Sequence, residues 1–225
     1  MRQLAEDLWV VERPLRFGGL PLGTRMTVVR LPDGGLFLHS PVALDDALRD
    51  ALLAVGTPRW AVAPNRFHHL YIGQYRDAFP EIELFAAPGL PEKRPDLRFD
   101  AVLGDGAPPA WAEHLDVECF AGLPMTNEVV FHHRASRTLL LCDLAFNLGR
   151  GAPLVTRLAF RVIGGYGRLG PTLLEKVMIR DREAARASME RILAWDFDRV
   201  VVTHGEVLET GGREALRAGY RWLLG

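Results

Sequence analysis

The chain has 225 residues, 48% apolar and 24% charged, with a formal charge of −1. That composition suits a globular protein with a full core, lacks the basic excess of nucleic-acid binders, and holds no run of roughly 18 apolar residues to span a membrane. Two cysteines, Cys119 and Cys142, form neither a disulfide framework nor a metal-ligand spacing, and the start has no basic-then-apolar leader, so a reducing cytoplasm is the expected location.

In chain order, Leu8–Val11 reads as a first strand. Met26–Leu31 and Gly35–His39 read as two strands turning at Pro32-Asp33-Gly34, because Asp-Gly between apolar runs marks a hairpin. Leu44, Ala47, Leu48, Ala51, Leu52 and Val55 recur at helical spacing, and Gly56 and Pro58 stop that helix. Trp60–Ala63 reads as a buried strand broken by Pro64-Asn65, and Ile82–Ala86 as another. The Pro-rich stretch from Pro88 to Pro109 is expected to be ordered loop with short strands, since Leu97, Phe99 and Val102 keep returning.

A second β-rich block begins at Asp116–Phe120, and Val129–His133 and Thr138–Cys142 form a hairpin around Arg134–Arg137. Asp143–Arg180 is irregular in pattern: glycine-rich, with Arg150, Arg157, Arg161 and Arg168 and no acid between Asp143 and Glu175. It reads equally as a mobile lid or as a solvated surface excursion. Asp181 caps a helix whose shared face is Ala185, Ser188, Met189, Ile192 and Leu193. Arg199–Thr203 is a last strand, and Arg213–Leu224 closes the chain as a helix.

Three strands therefore end in metal-ligating residues: His68 and His69 after Ala63, Asp143 after Cys142, and His204 after Thr203. Sites in α/β proteins are built on such strand-end loops. Zinc accepts imidazole and carboxylate ligands, and so do iron and manganese. Neighbours such as His68 and His69 face one centre only if the loop turns. Any one of these histidines alone reads more simply as a core or surface residue. Surface positions are the simpler reading of His132, His133 and His114, a hydrogen-bonded turn of His39, a solvated carboxylate of Glu128, and core packing of Cys142, Tyr71 and Tyr75.

This order of strands and strand-end residues resembles the metallo-β-lactamase fold superfamily over nearly the whole chain. That superfamily carries H-x-H-x-D-H after a strand, a later G-H-x-P-G, a bridging Asp and a closing His before Gly. Here the first motif is similar only as Pro64-x-Arg66-x-His68-His69, the second as Gly122-Leu123-Pro124, and the last two as Cys142-Asp143 and Thr203-His204-Gly205. The resemblance implies an αββα sandwich: two mixed β-sheets face to face, helices outside, one domain over residues 1–225 with pseudo-equivalent halves of about 1–115 and 116–225. It implies that the first metal's own ligands are gone and that His68, His69, Asp143 and His204 hold one divalent ion. Zinc comes first among the metals, with iron or manganese as alternatives. If the register slips by a residue, Asn65 takes a ligand position, which makes it a secondary candidate.

The function implied is a metal-dependent hydrolase of a small-molecule substrate, using metal-bound water at a mononuclear site. The alternative is a degenerate, non-catalytic domain that binds a ligand or partner in the same cleft. Nucleic acid is not an expected partner. The substrate and oligomeric state are open.

Overall fold

The computed structural model describes residues 1–104, 108 and 110–225. The strands of its first part are β1 (Arg2–Ala5), β2 (Leu8–Arg13), β3 (Arg16–Phe17), β4 (Leu20–Pro21), β5 (Thr24–Arg30), β6 (Gly35–His39), β7 (Thr57–Ala63), β8 (Glu83–Ala86) and β9 (Ala101–Val102). Helices α1 (Asp46–Leu53), α2 (Ile72–Ala78) and α3 (Leu90–Lys93) lie between them. Seven of these strands make one mixed sheet in the order β1-β2-β5-β6-β7-β8-β9, while β3 and β4 form a separate ribbon. The second sheet is β10 (Leu115–Cys119), β11 (Val129–His133), β12 (Thr138–Leu141) and β13 (Arg199–Val202), in that order. Helices α4 (Leu154–Val162), α5 (Leu173–Met178), α6 (Arg182–Ala194), α7 (Gly212–Gly219) and α8 (Arg221–Leu224) complete the chain.

Alternation along the strands decides the layers, because neighbouring side chains point to opposite faces. Phe37, Trp60 and Phe85 of the first sheet meet Phe131, Leu140 and Val201 of the second in one cluster between the sheets. Their neighbours Leu36, Leu38, Ala61 and Leu84 face outward against Leu48 and Leu52 of α1 and Ile72 and Tyr75 of α2. Val130, Leu139 and Val200 likewise pack on Ala185, Met189, Ile192, Leu216 and Tyr220. The result is helix, sheet, sheet, helix.

Several sequence readings need correction. Asp143–Arg180 is not irregular throughout, since it holds α4 and α5. Its helices were hidden because α4 buries only Thr156 and Phe160 and turns its aliphatic residues outward. The closing helix is broken at Tyr220 into α7 and α8. Strand β1 and helix α3 were not anticipated, and the Pro88–Pro109 reading lies partly outside the described residues, at 105–107 and 109. His132 and His133 are buried, not surface residues: His132 lies against Asp116 (2.8 Å) and the Asp196 carbonyl (3.2 Å), and His133 against Ser136 (2.7 Å). His39 is a buried strand residue edge-on to Phe131, not a hydrogen-bonded turn residue.

Candidate metal centre

Parallel pairing brings the right strand ends together. β6 pairs parallel with β7, and β12 with β13, so Ser40, Asn65, Asp143 and His204 all follow the carboxyl ends of adjacent strands. The two sheets are tied at this end by the Val129 N–H donating to the Pro64 carbonyl at 2.7 Å. Beyond β7, the Asn65 Oδ1 accepts from the Phe67 and His68 N–H groups at 2.9 and 2.8 Å. That local turn, a habit of Asn side chains, folds His68 back over the cleft.

His68 Nε2 then lies 3.4 Å from Asp143 Oδ1, and His204 Nε2 lies 3.6 Å from the same oxygen. The three residues offer ligand atoms within 4.8 Å of one another. Their outer atoms are also engaged. His204 Nδ1 donates to the Gly23 carbonyl at 2.7 Å, which leaves Nε2 of the neutral ring as the acceptor. His68 Nδ1 meets Ser40 Oγ at 3.0 Å. Fixing the far nitrogen is how proteins aim a ligating imidazole. Phe146 stacks on the His204 ring at 5.9 Å and 12°.

His204 is also held from behind. Buried Arg25 donates to the Gly205 carbonyl at 2.6 Å and to the Val202 carbonyl, with Glu12 as its counter-ion at 2.8 Å. Gly205 has φ 106, and a Cβ there would collide with the Asn147 carbonyl oxygen, so only glycine makes this turn.

Glu128 is fully buried, contrary to the solvated carboxylate expected from sequence. It accepts from the backbone N–H groups of Cys142 (2.7 Å), Asp143 (2.7 Å) and Leu144 (3.1 Å), and from Asn65 Nδ2 at 3.1 Å. It therefore clamps the turn that carries Asp143. Asn65 Nδ2 also donates to Asp143 Oδ2 at 2.7 Å, which leaves Oδ1 to face the histidines.

The charges are set by these contacts. Burial works against the Asp143 carboxylate, but His68, His204 and Asn65 outweigh it and hold its pKa down. Burial and then the Asp143 charge push Glu128 up. Burial also disfavours the His68 cation, yet the charge and hydrogen bond of Asp143 raise it above the ordinary imidazole value. His204 is pushed down to about 4 by burial and then by the neighbouring His68 charge.

Of the four ligand candidates, the structure gathers His68, Asp143 and His204 and leaves His69 out. The backbone turn sends His69 to the other side, where its Nδ1 is 2.8 Å from Arg94 Nη1. Burial and the charges of Lys93 and Arg94 push it down to about 4. Asn65 is at the centre, but its amide oxygen is taken by two backbone N–H groups and its nitrogen faces the carboxylates. Leu123 is buried in the α6-side core. Cys142 is buried, accepting from Thr203 Oγ1 at 3.0 Å. Sequence reasoning missed Ser40, Gly23 and Arg25. Ser40 stood beside His39 at a strand end, which was a signal, whereas nothing in the spacing joins Gly23 or Arg25 to His204.

The donor set, two imidazole nitrogens and one carboxylate oxygen converging from held side chains, fits a divalent metal.

A family profile described as a domain of unknown function, DUF4336, matches residues 5–163, well over half the chain. The chain belongs to the DUF4336 family. No curated protein matches it. Among solved structures, this DUF4336 chain is similar to a metallo-β-lactamase from Pontibacter korlensis at 11% identity, covering 98% of this chain and 96% of that one with a TM-score of 0.67. It is similar to the metallo-β-lactamase FIM-1 from Pseudomonas aeruginosa in its mono-zinc form, at 12% identity, 99% and 92% coverage and a TM-score of 0.62. It is also similar to the Flv1 flavodiiron core from Synechocystis sp. PCC6803, at 11% identity, 97% and 59% coverage and a TM-score of 0.64. At these identities the likeness establishes the metallo-β-lactamase fold and nothing finer.

Proposed function

We propose that residues 1–225 form one domain in which His68, Asp143 and His204 hold a single divalent metal, zinc first, and that the protein is a metal-dependent hydrolase of a small molecule. The observation that carries this reading is the convergence of two Nε2 atoms on Asp143 Oδ1, each ring with its Nδ1 engaged. The count of one metal rests on Asp143 Oδ2 being held by Asn65 and, through the motif resemblance, on Arg66 and Leu123 taking positions where the superfamily has ligands of a further ion. A metal in this set supplies Lewis acidity and brings the pKa of a coordinated water to about 7.

The chain's own residues prepare that chemistry. Gly23 and Ser40 orient the imidazoles, Glu128 fixes the Asp143 turn, and Asn65 keeps the carboxylate facing the histidines. Phe146 shields one face of His204 from water. His68, Asp143 and His204 would hold the metal with three protein ligands, the donor count of catalytic rather than structural sites.

The test is zinc titration with competing chelator, by isothermal calorimetry, on protein made without an affinity tag. One metal per chain is expected, with affinity reduced roughly 100-fold or more in His204→Ala and Asp143→Ala, since even outer-shell changes cost about 10–100-fold. Two metals per chain, or unchanged affinity in His204→Ala, defeats the reading. The non-catalytic alternative is favoured by the erosion of the first motif, and a loaded protein inert toward ester, thioester, amide and phosphodiester panels would select it.

A further inference from the structure

We propose that the outer face of α4 and α5 docks on an anionic lipid surface. At 3.6 residues per turn, Leu154, Val155, Leu158 and Val162 fall within about 100° of arc on α4. Thr156 and Phe160 occupy the opposite, buried side. The outward residues are large, aliphatic and exposed, Val162 at 79%. Helix α5 buries none of its residues and adds exposed Leu173, Leu174 and Val177, the last at 83%. The two helices are joined where Leu173 N–H donates to the Ile163 carbonyl at 2.8 Å. Contiguous exposed apolar surface of this kind marks a contact site.

Charge decides what covers it. From Leu144 to Leu174 the sequence has no Asp or Glu and holds Arg150, Arg157, Arg161 and Arg168. None of the four is paired with a carboxylate among the described residues. Arg157 and Arg161 follow one edge of the apolar arc, and Arg161 sits 4.2 Å over the Tyr166 ring. A two-fold pairing of this face with itself would set these arginines against their own copies, while the one acid of α5, Glu175, is turned back to cap its own helix at Thr172. Aliphatic residues flanked by arginine and tyrosine instead match the acyl and headgroup levels of an anionic interface. Among the described residues no helix is long and apolar enough to cross a membrane, and the proposed contact lies in the plane of the surface. It is the opposite, buried side of α4 that reaches toward the metal centre: Phe160 meets Phe146 at 5.4 Å, and Phe146 stacks on His204.

The test is flotation of the full chain with vesicles of phosphatidylcholine, alone or mixed with phosphatidylglycerol, at low and high salt. Wild type is expected to float with the mixed vesicles at low salt and roughly tenfold less with neutral vesicles or in high salt. Val162→Glu/Val177→Glu should abolish flotation, Arg150→Gln/Arg161→Gln should weaken it, and Leu53→Glu, on exposed α1 surface elsewhere, should not. These side chains are exposed, so thermal melts and zinc affinity should be unchanged, which separates this proposal from that for the metal centre. No flotation of wild type, or equal flotation of Val162→Glu/Val177→Glu, overturns it. So does a wild-type dimer in light scattering that this double variant makes monomeric, because a second copy would then be the occupant. Flotation indifferent to phosphatidylglycerol would also overturn it.

Discussion

Replacing Asn65 with alanine removes four hydrogen bonds at one point: two donated to the Glu128 and Asp143 carboxylates and two accepted from the Phe67 and His68 N–H groups. Bonds to charged groups are worth about 1.5–3 kcal/mol each and neutral ones about 1 kcal/mol, and the sum shrinks where water refills the space. We expect Asn65→Ala to cost about 4 kcal/mol of stability, a large part of the roughly 5–15 kcal/mol a domain has. Zinc affinity should fall about 10–100-fold, because Asp143 loses the partner that turns it toward the histidines. Asn65→Asp keeps the acceptor for the turn but places a third carboxylate beside Glu128 and Asp143. Its apo form should therefore be the less stable of the two at neutral pH and recover as the buffer is acidified toward pH 5. Urea unfolding of the apo proteins and chelator-competition titrations with zinc measure both effects. A loss below about 1 kcal/mol with wild-type zinc affinity would show that Asn65 merely fills space.

Gly205→Ala should destabilise by about 3 kcal/mol or more and weaken zinc binding, since a side chain there meets the Asn147 carbonyl at a backbone angle that favours glycine. A melting temperature within a degree of wild type would contradict this. His69→Gln should leave zinc affinity within about threefold, well short of the roughly 10–100-fold loss of a residue that supports the metal; a larger drop in calorimetry would bring His69 back as a ligand. Burial first, and neighbouring histidine charge second, push His39 down to about 3 and His133 down to about 4. The unfolded chain takes protons at the ordinary value near 6.5 that the folded one refuses. Their contribution is thus complete above pH 6.5 and is lost as pH falls toward 4, by up to about 1.4 kcal/mol per pH unit for each. Urea midpoints of the apo protein that stay level from pH 7 to 4.5 would refute it.

The sandwich was legible because strand alternation and strand-end punctuation are local signals. Pro64-Asn65 after Trp60–Ala63 and His204-Gly205 after Val200–Val202 announced where side chains would collect. The face each histidine takes was not local: Asn65 turns the chain so that His68 enters and His69 leaves, and its hydrogen bonds go to residues 63 and 78 positions away. Glu128 looked like a surface acid because its partners are backbone N–H groups, which leave no trace in composition. Helix α4 was missed for the opposite reason. Its pattern is helical, but the aliphatic side faces out, where a reading based on core periodicity does not look.

Gly23 accepts from His204, 181 positions later in the chain, and Arg25 holds the Val202 and Gly205 carbonyls on either side of it, 177 and 180 positions later. Contacts of that sequence separation form only after long loops have closed, and they are slow to form. The centre therefore comes into being after both sheets have met, and it disperses as soon as they part. A metal that binds only this assembled state stabilises it by about 2.7 kcal/mol at a hundred times its dissociation constant. Retention of the ion during purification or storage thus reports whether a given molecule has completed its fold, and adding chelator should withdraw that stabilisation from the folded molecules.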